Sequence, residues 1–275
     1  MTQYSVYKTD ELLSKFADIK DESAEVNNFF NTFKFSSIVN QNIAKTNTTF
    51  VFKNAIKEDT IKSKIVMLLN KLHQQNLTKI TSMIREIVFQ TQDELYELVS
   101  QCIFKIKRDS DQIRPIVAAL CWELLNTYFV TSDGEKIYFR KLLLSEVKKD
   151  YIFSINYNND DWSKDKAEKI MILIGTLFNQ KIIETKIMES IIFDFKKNIK
   201  YKEGETQEYY ENVEKSIQLL SCLTSCIVLN DDSKKVYGDL DNYLENEINI
   251  YEEVKCIKKK DRLICKNCIY ELRKN

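Results

Sequence analysis

Cys265-Lys266-Asn267-Cys268 is the stretch whose residue types and spacing come nearest to metal or redox chemistry. Two thiols separated by two residues make half of a tetrahedral zinc set, and Cys222, Cys226 and Cys256 lie in the same region of the chain. The pattern around them argues against a metal. Each pair falls at helical i,i+3 or i,i+4 spacing in an amphipathic stretch, where cysteine packs as a small hydrophobe. His73, the single histidine, stands at an expected helix end with no serine or cysteine nucleophile near it, so it reads as a surface or capping residue. Asp160-Asp161, Asp231-Asp232, Asp239 and Asp241 sit at turns and helix starts, where carboxylates cap. None of the four glycines belongs to a nucleotide-binding pattern. The expectation is no catalytic residue, no metal and no cofactor. The chain is not read as an enzyme.

Composition says what must carry the surfaces instead. The chain has 275 residues, 44% hydrophobic and 30% charged, which fits a folded protein and excludes a disordered one. Only 4 glycines and 1 proline occur. Sheets and tight hairpins lean on those residues, so long helices joined by polar turns are expected. Lys plus Arg and Asp plus Glu both number 41, so no global field draws the protein to nucleic acid or membrane, and any such binding is patch-sized. No apolar run is long enough to span a bilayer, and the first residues do not open a signal peptide. Seven scattered cysteines point to a reducing compartment, and the cytoplasm is the expected location, the host's if the chain is viral. Usage rich in Lys, Asn and Ile points to an AT-rich genome, such as that of a protist or a large DNA virus.

The organisation follows from periodicity. Residues 1–57 hold a short amphipathic piece near 8–18 and then an aromatic, Asn- and Thr-rich stretch, read as an irregular N-terminal arm. Residues 58–275 carry a helical period throughout. Helices are expected over 58–72, 77–90, 95–106, a segment opened by Ser110-Asp111 and Pro115, 134–152, 164–180, 184–199, 206–229, 233–254 and 259–273. Gly175 is expected to allow close helix approach, Trp122 to anchor the core and Trp162 to pack at a helix start. Ten helices with short loops make five antiparallel pairs, so the fold class is all-α, a solenoid of stacked helix pairs. No repeated motif is visible between the pairs.

Four short segments carry a resemblance. Leu69-Asn70-Lys71-Leu72, Phe139-Arg140-Lys141-Leu142-Leu143-Leu144, Ile174-Gly175-Thr176-Leu177-Phe178 and Ile187-Met188 are similar, in order and spacing, to segments of the middle domain of translation initiation factor 4G. The resemblance spans roughly 60–273 and implies a HEAT-type solenoid of five helix pairs. The leucines and isoleucines in these segments are expected to pack between pairs.

What the resemblance implies about partners lies mostly at the ends of the chain. Tyr7, Leu12 and Leu13 fit the pattern with which proteins similar to factor 4G dock a cap-binding protein of the initiation factor 4E type. The physics is a short helix laid in a groove, with Phe16 extending its apolar edge. The family's other partner is a DEAD-box RNA helicase of the initiation factor 4A type. Phe52 and Lys53 stand where relatives place an aromatic and a lysine against that helicase, and Lys258, Lys259, Lys260 and Arg262 where they carry basic contact residues. Lys196, Lys197, Lys200 and Lys202 form a further basic cluster, a candidate for contact with mRNA, against the alternative of a solvated helix end. No membrane or small-molecule substrate is expected. Two other functions share the fold: an adaptor of mRNA surveillance or RNA processing, and a decoy that sequesters initiation factors.

Overall fold

The computed structural model describes residues 60–228 and 230–273. Tyr7, Leu12, Leu13, Phe16, Phe52 and Lys53 lie outside them. Among the described residues the chain forms α1 (Ile61–Asn70), a 3-10 turn (Gln74–Asn76), α2 (Leu77–Arg85), α3 (Gln92–Arg108) and α4 (Arg114–Leu124). A short hairpin of β1 (Tyr128–Val130) and β2 (Lys136–Tyr138) follows, then α5 (Phe139–Ile155), α6 (Lys164–Asn179) and α7 (Thr185–Ile199). The chain continues through α8 (Gln207–Cys226), α9 (Asp231–Tyr237), α10 (Leu240–Val254) and α11 (Lys259–Arg273).

Several helix starts are written in the sequence. Thr91 accepts from the Glu94 amide at 3.3 Å while Glu94 accepts from the Thr91 amide at 3.3 Å, a reciprocal cap on α3. Ser163 and Thr206 accept from the amides of Lys166 and Tyr209 at the starts of α6 and α8. The start of α4 differs from expectation. Its N-cap is Ile113, with Pro115 in the first turn, and the Ser110 carbonyl accepts the amides of Ile113 and Arg114. Asp111 pairs with Arg114 instead of capping.

The helices pair and the pairs stack. One layer runs α1, α3, α5, α7, α10 and the other α2, α4, α6, α8, α11, with each pair joining the two layers. Short α9 packs on α7. The core runs along the seam: Leu69, Leu142, Leu143, Ile174 and Leu177 are buried, as expected for pair-to-pair packing, and Leu144 is half-buried against them. Leu72 is buried just past the end of α1. A Cβ on Gly175 would stand 2.9 Å from the Cβ of Cys226, so α6 and the end of α8 meet at a distance only glycine permits. This is the all-α repeat architecture read from the sequence.

Polar bridges supply the repeat period that the sequence motifs do not. Lys107 to Asp150, the Tyr151 hydroxyl to Asp194, and Lys196 to Asp239 each span 43 residues of chain. Arg140 to Glu184 and Lys258 to Glu214 each span 44. That step matches a two-helix repeat of about 40–47 residues.

Three further expectations are corrected. The helix expected over 134–152 begins only at Phe139; ahead of it Tyr128 pairs with Tyr138 and Val130 with Lys136 across the hairpin. The β-branched and aromatic residues on both sides of Thr131-Ser132-Asp133-Gly134 favour strands there over a longer helix. The helix expected over 233–254 is two, broken at Gly238, whose φ of 51° interrupts the helical run. Trp122 is no core anchor. It is 47% exposed on the outer side of α4. Trp162 does pack, edge-on to Tyr157 at 5.7 Å and donating from Nε1 to the Ser154 carbonyl at 2.8 Å.

Candidate interaction surface

The two basic segments named from the sequence sit at the end of α7 and the start of α11, and α8 holds both. The last carbonyls of a helix lack intrahelical donors. Here tyrosines supply them. Tyr243 donates to the Lys196 carbonyl at 2.6 Å and Tyr251 to the Ile199 carbonyl at 2.8 Å. Tyr209 and Tyr210, in the first turn of α8, donate to the carbonyls of Lys200 and Lys202 at 2.5 and 2.9 Å. The rings pack on each other: Tyr201 and Tyr251 are 5.6 Å apart edge-on, Tyr210 and Tyr251 6.4 Å, Tyr209 and Tyr210 5.5 Å. Burial pushes the hydroxyls of Tyr243 and Tyr251 well above their ordinary range, so both stay protonated donors.

The lysines take different roles on this frame. Lys196 is half-buried, pairs with Asp239 and lies 5.4 Å over the Tyr243 ring. The hydrogen bond from Lys196 holds the Asp239 carboxyl below its usual range. Lys202 lies 4.8 Å over the Tyr209 ring and 3.8 Å from Glu205. Lys197 and Lys200 are exposed. The segment therefore presents lysine ammonium groups interleaved with aromatic faces.

At α11, Glu214 of α8 accepts from both the amide and the ammonium of Lys258, each at 2.7 Å. The carboxylate is only 5% exposed, so these bonds offset its desolvation. They raise the Lys258 pKa. Gln218, one turn further along α8, donates to buried Asp261. Lys258 is thus held against α8, and Arg262 is half-buried with its Nε unpartnered. Lys259 and Lys260 are exposed and point their charge outward from the first turn of α11.

The sequence reading missed the tyrosines. Tyr243 and Tyr251 are two helical turns apart on one side of α10, and Tyr209-Tyr210 opens α8. Those spacings are legible, but their partners are backbone carbonyls, which no sequence pattern marks. It also missed the exposed apolar side chains. Trp122, Tyr128, Val130 and Tyr138 are 47%, 43%, 47% and 39% exposed around the hairpin, with Lys136 4.5 Å over the Tyr128 ring. Phe104, 49% exposed with Arg108 5.4 Å over its ring, borders a groove of about 300 Å³ lined by Val66, Leu69 and Asn70. Among the described residues no group of three or more His, Cys, Asp or Glu side chains is arranged to hold a metal. Cys265 and Cys268 are buried in the α8–α11 contact, the Cys268 sulfur 3.4 Å from the Thr224 hydroxyl.

A stack of helix pairs with aromatic and basic groups on its surface is built for contact. The family model described as MIF4G domain matches residues 63–274. The chain belongs to the MIF4G family. MIF4G domains are helical scaffolds for protein and RNA interactions rather than a catalytic family. The match begins in α1 and ends just after α11, so it takes in every helix described above. No curated protein matches the chain. No helix among the described residues is long and apolar enough to cross a membrane.

Proposed function

We propose that this MIF4G protein is a scaffold of translation initiation in the cytoplasm, bridging a cap-binding protein of the initiation factor 4E type and a DEAD-box RNA helicase of the initiation factor 4A type. The observation that carries the reading is the MIF4G match over the whole helical stack, together with Tyr7, Leu12 and Leu13 ahead of it. The Tyr7-to-Phe16 segment is the docking element for the cap-binding protein. Phe52, Lys53 and the α11 start are the helicase contacts. At α11, exposed Lys258, Lys259 and Lys260 and half-buried Arg262 make the charged contact, with Lys258 also tied to Glu214 of α8. A scaffold of this kind adds no catalytic group. It favours one arrangement of the helicase lobes by binding that arrangement more tightly.

mRNA contacts the exposed Lys197 and Lys200 and the Lys202–Tyr209 pair, with Lys196 set back at the edge. Lysines beside aromatic faces suit a single strand, through phosphate contact and base stacking.

Capture of both purified partners by the full chain, on cap resin for one and by ATP-dependent helicase stimulation for the other, tests the reading. Tyr7→Ala, or Leu12→Ala with Leu13→Ala, is expected to abolish cap-resin retention with the helical circular dichroism unchanged. Unchanged retention rejects the docking site. Helicase inhibition in place of stimulation assigns the decoy role, and retention of a surveillance or splicing helicase assigns the adaptor role.

A further inference from the structure

α1 and α3 lie side by side in one layer, and polar rungs cross the groove between them. At one end Lys62 of α1 pairs with Glu97 of α3 at 3.0 Å, and Gln101 donates to the same carboxylate at 2.9 Å. Further along, the Lys105 ammonium donates to the Asn70 side chain at 3.4 Å and pairs with Asp109 at 2.9 Å. Both rungs between the helices keep one offset of 35 residues, so α1 and α3 run parallel and the groove follows them. Its floor is buried Leu69 with half-buried Val66 beside it, and its wall is Phe104, 49% exposed. α1 ends at Asn70 whereas α3 runs on to Arg108, so Arg108 stands at the mouth.

The charges of this groove do not cancel. Lys62 answers Glu97, and Lys105 answers Asp109. Arg108 is exposed, its guanidinium lies 5.4 Å over the Phe104 ring, and it forms no ion pair among the described residues. Phe104 alone would be an ordinary exposed aromatic. Set in a concave apolar wall beneath an uncommitted guanidinium, it has the make-up of an interface anchor. The guanidinium keeps its fork of N–H donors for a planar acceptor, and a carboxylate matches that fork.

We propose that the α1–α3 groove binds a short acidic and apolar segment of a partner protein, seating a bulky apolar side chain on Leu69 and Phe104 and an Asp or Glu carboxylate on Arg108. Phe104 and Arg108 are one turn apart, about 6 Å along α3. A ligand matches that rise with residues i and i+4 of a helix, or i and i+2 of an extended strand. A phosphate backbone would meet a single uncommitted cation among the carboxylates of Glu97 and Asp109, so nucleic acid is the poorer fit. The site belongs to the first two helix pairs, apart from the basic segments at α7 and α11, and does not rest on the translation reading.

The test pans the full chain against a random-peptide phage library, with a Phe104→Ala chain as counter-selection, and follows a fluorescein-labelled copy of the enriched peptide by anisotropy. Enriched peptides are expected to carry a bulky apolar residue with Asp or Glu about two to four positions away. Hydrogen exchange is expected to slow over 66–70 and 101–108 when the peptide binds. Arg108→Glu, with circular dichroism unchanged, is expected to weaken binding about ten-fold and to prefer a peptide whose acid is replaced by Lys. Enrichment without a carboxylate, none beyond that on the Phe104→Ala chain, protection elsewhere, or unaltered affinity in Arg108→Glu overturns the proposal. So does self-association abolished by Phe104→Ala, which assigns the groove to a second copy, or retention of single-stranded RNA lost in Arg108→Glu, which assigns it to nucleic acid.

Discussion

Gly175 marks a close packing point in the stack. Its missing Cβ admits the end of α8, and the atom that would be struck is the Cβ of Cys226, which cannot rotate away. Gly175→Ala is therefore expected to destabilise by about 1–3 kcal/mol through overpacking. Urea denaturation checks this, and an unchanged midpoint would contradict it. A second residue of this kind is Tyr251, fully buried with its hydroxyl on the Ile199 carbonyl. Tyr251→Phe leaves that carbonyl without its donor and is expected to cost about 1–3 kcal/mol. Amide exchange at the end of α7 is expected to rise with it. The glycine was legible because an isolated glycine in an apolar helix needs a packing reason. The tyrosine was not, because an aromatic on a helix face gives no sign of where its hydroxyl goes.

Elements were legible from their apolar period more than from caps: the opening read at Ser110-Asp111 does not cap α4, and the caps that do form were not named. The starts of α3, α6 and α8 carry Thr91, Ser163 and Thr206, and each accepts an amide three residues on. The hairpin before α5 was missed because strands of three residues are too short to show alternation. The break between α9 and α10 was missed because Gly238 stands inside a run that keeps a helical period on both sides. Asn230 caps α9, accepting from the Ser233 amide at 2.9 Å while the Ser233 hydroxyl accepts from the Asn230 amide at 2.7 Å. Asn230→Ala is expected to cost about 1 kcal/mol. Gly238→Ala is expected to cost about 1–3 kcal/mol, because a φ of 51° with ψ of −115° strains any residue with a Cβ. If Gly238→Ala instead matched the parent in thermal melts, the break would have to be set by packing of α9 on α7 alone.

Acidic pairs gather toward the C-terminal end of the molecule. Lys196 lowers the pKa of Asp239, Arg273 those of Asp241 and Glu245, and Lys266 that of Glu252. A carboxylate depressed in the folded state stabilises it above the unfolded pKa of about 4 and loses that effect as pH falls through the folded value. Below about pH 4, α10 and α11 are therefore expected to lose amide protection before α3 and α4 do, and added salt to narrow the difference. Simultaneous loss in all helices would count against it. At this scale the architecture was legible from loop lengths and helical period alone. The repeat was not, because it is written in bridges such as Tyr151 to Asp194 whose chemistry changes at each step.

Those bridges also set how the molecule comes apart. Each spans one repeat and fastens a helix pair to the next one along the stack. Cohesion passes hand to hand along the stack, and loss of one end unit exposes the next without collapsing the remainder. Pulled by its ends in an optical trap, such a chain would lengthen in a series of small steps, each releasing roughly one 43-residue link.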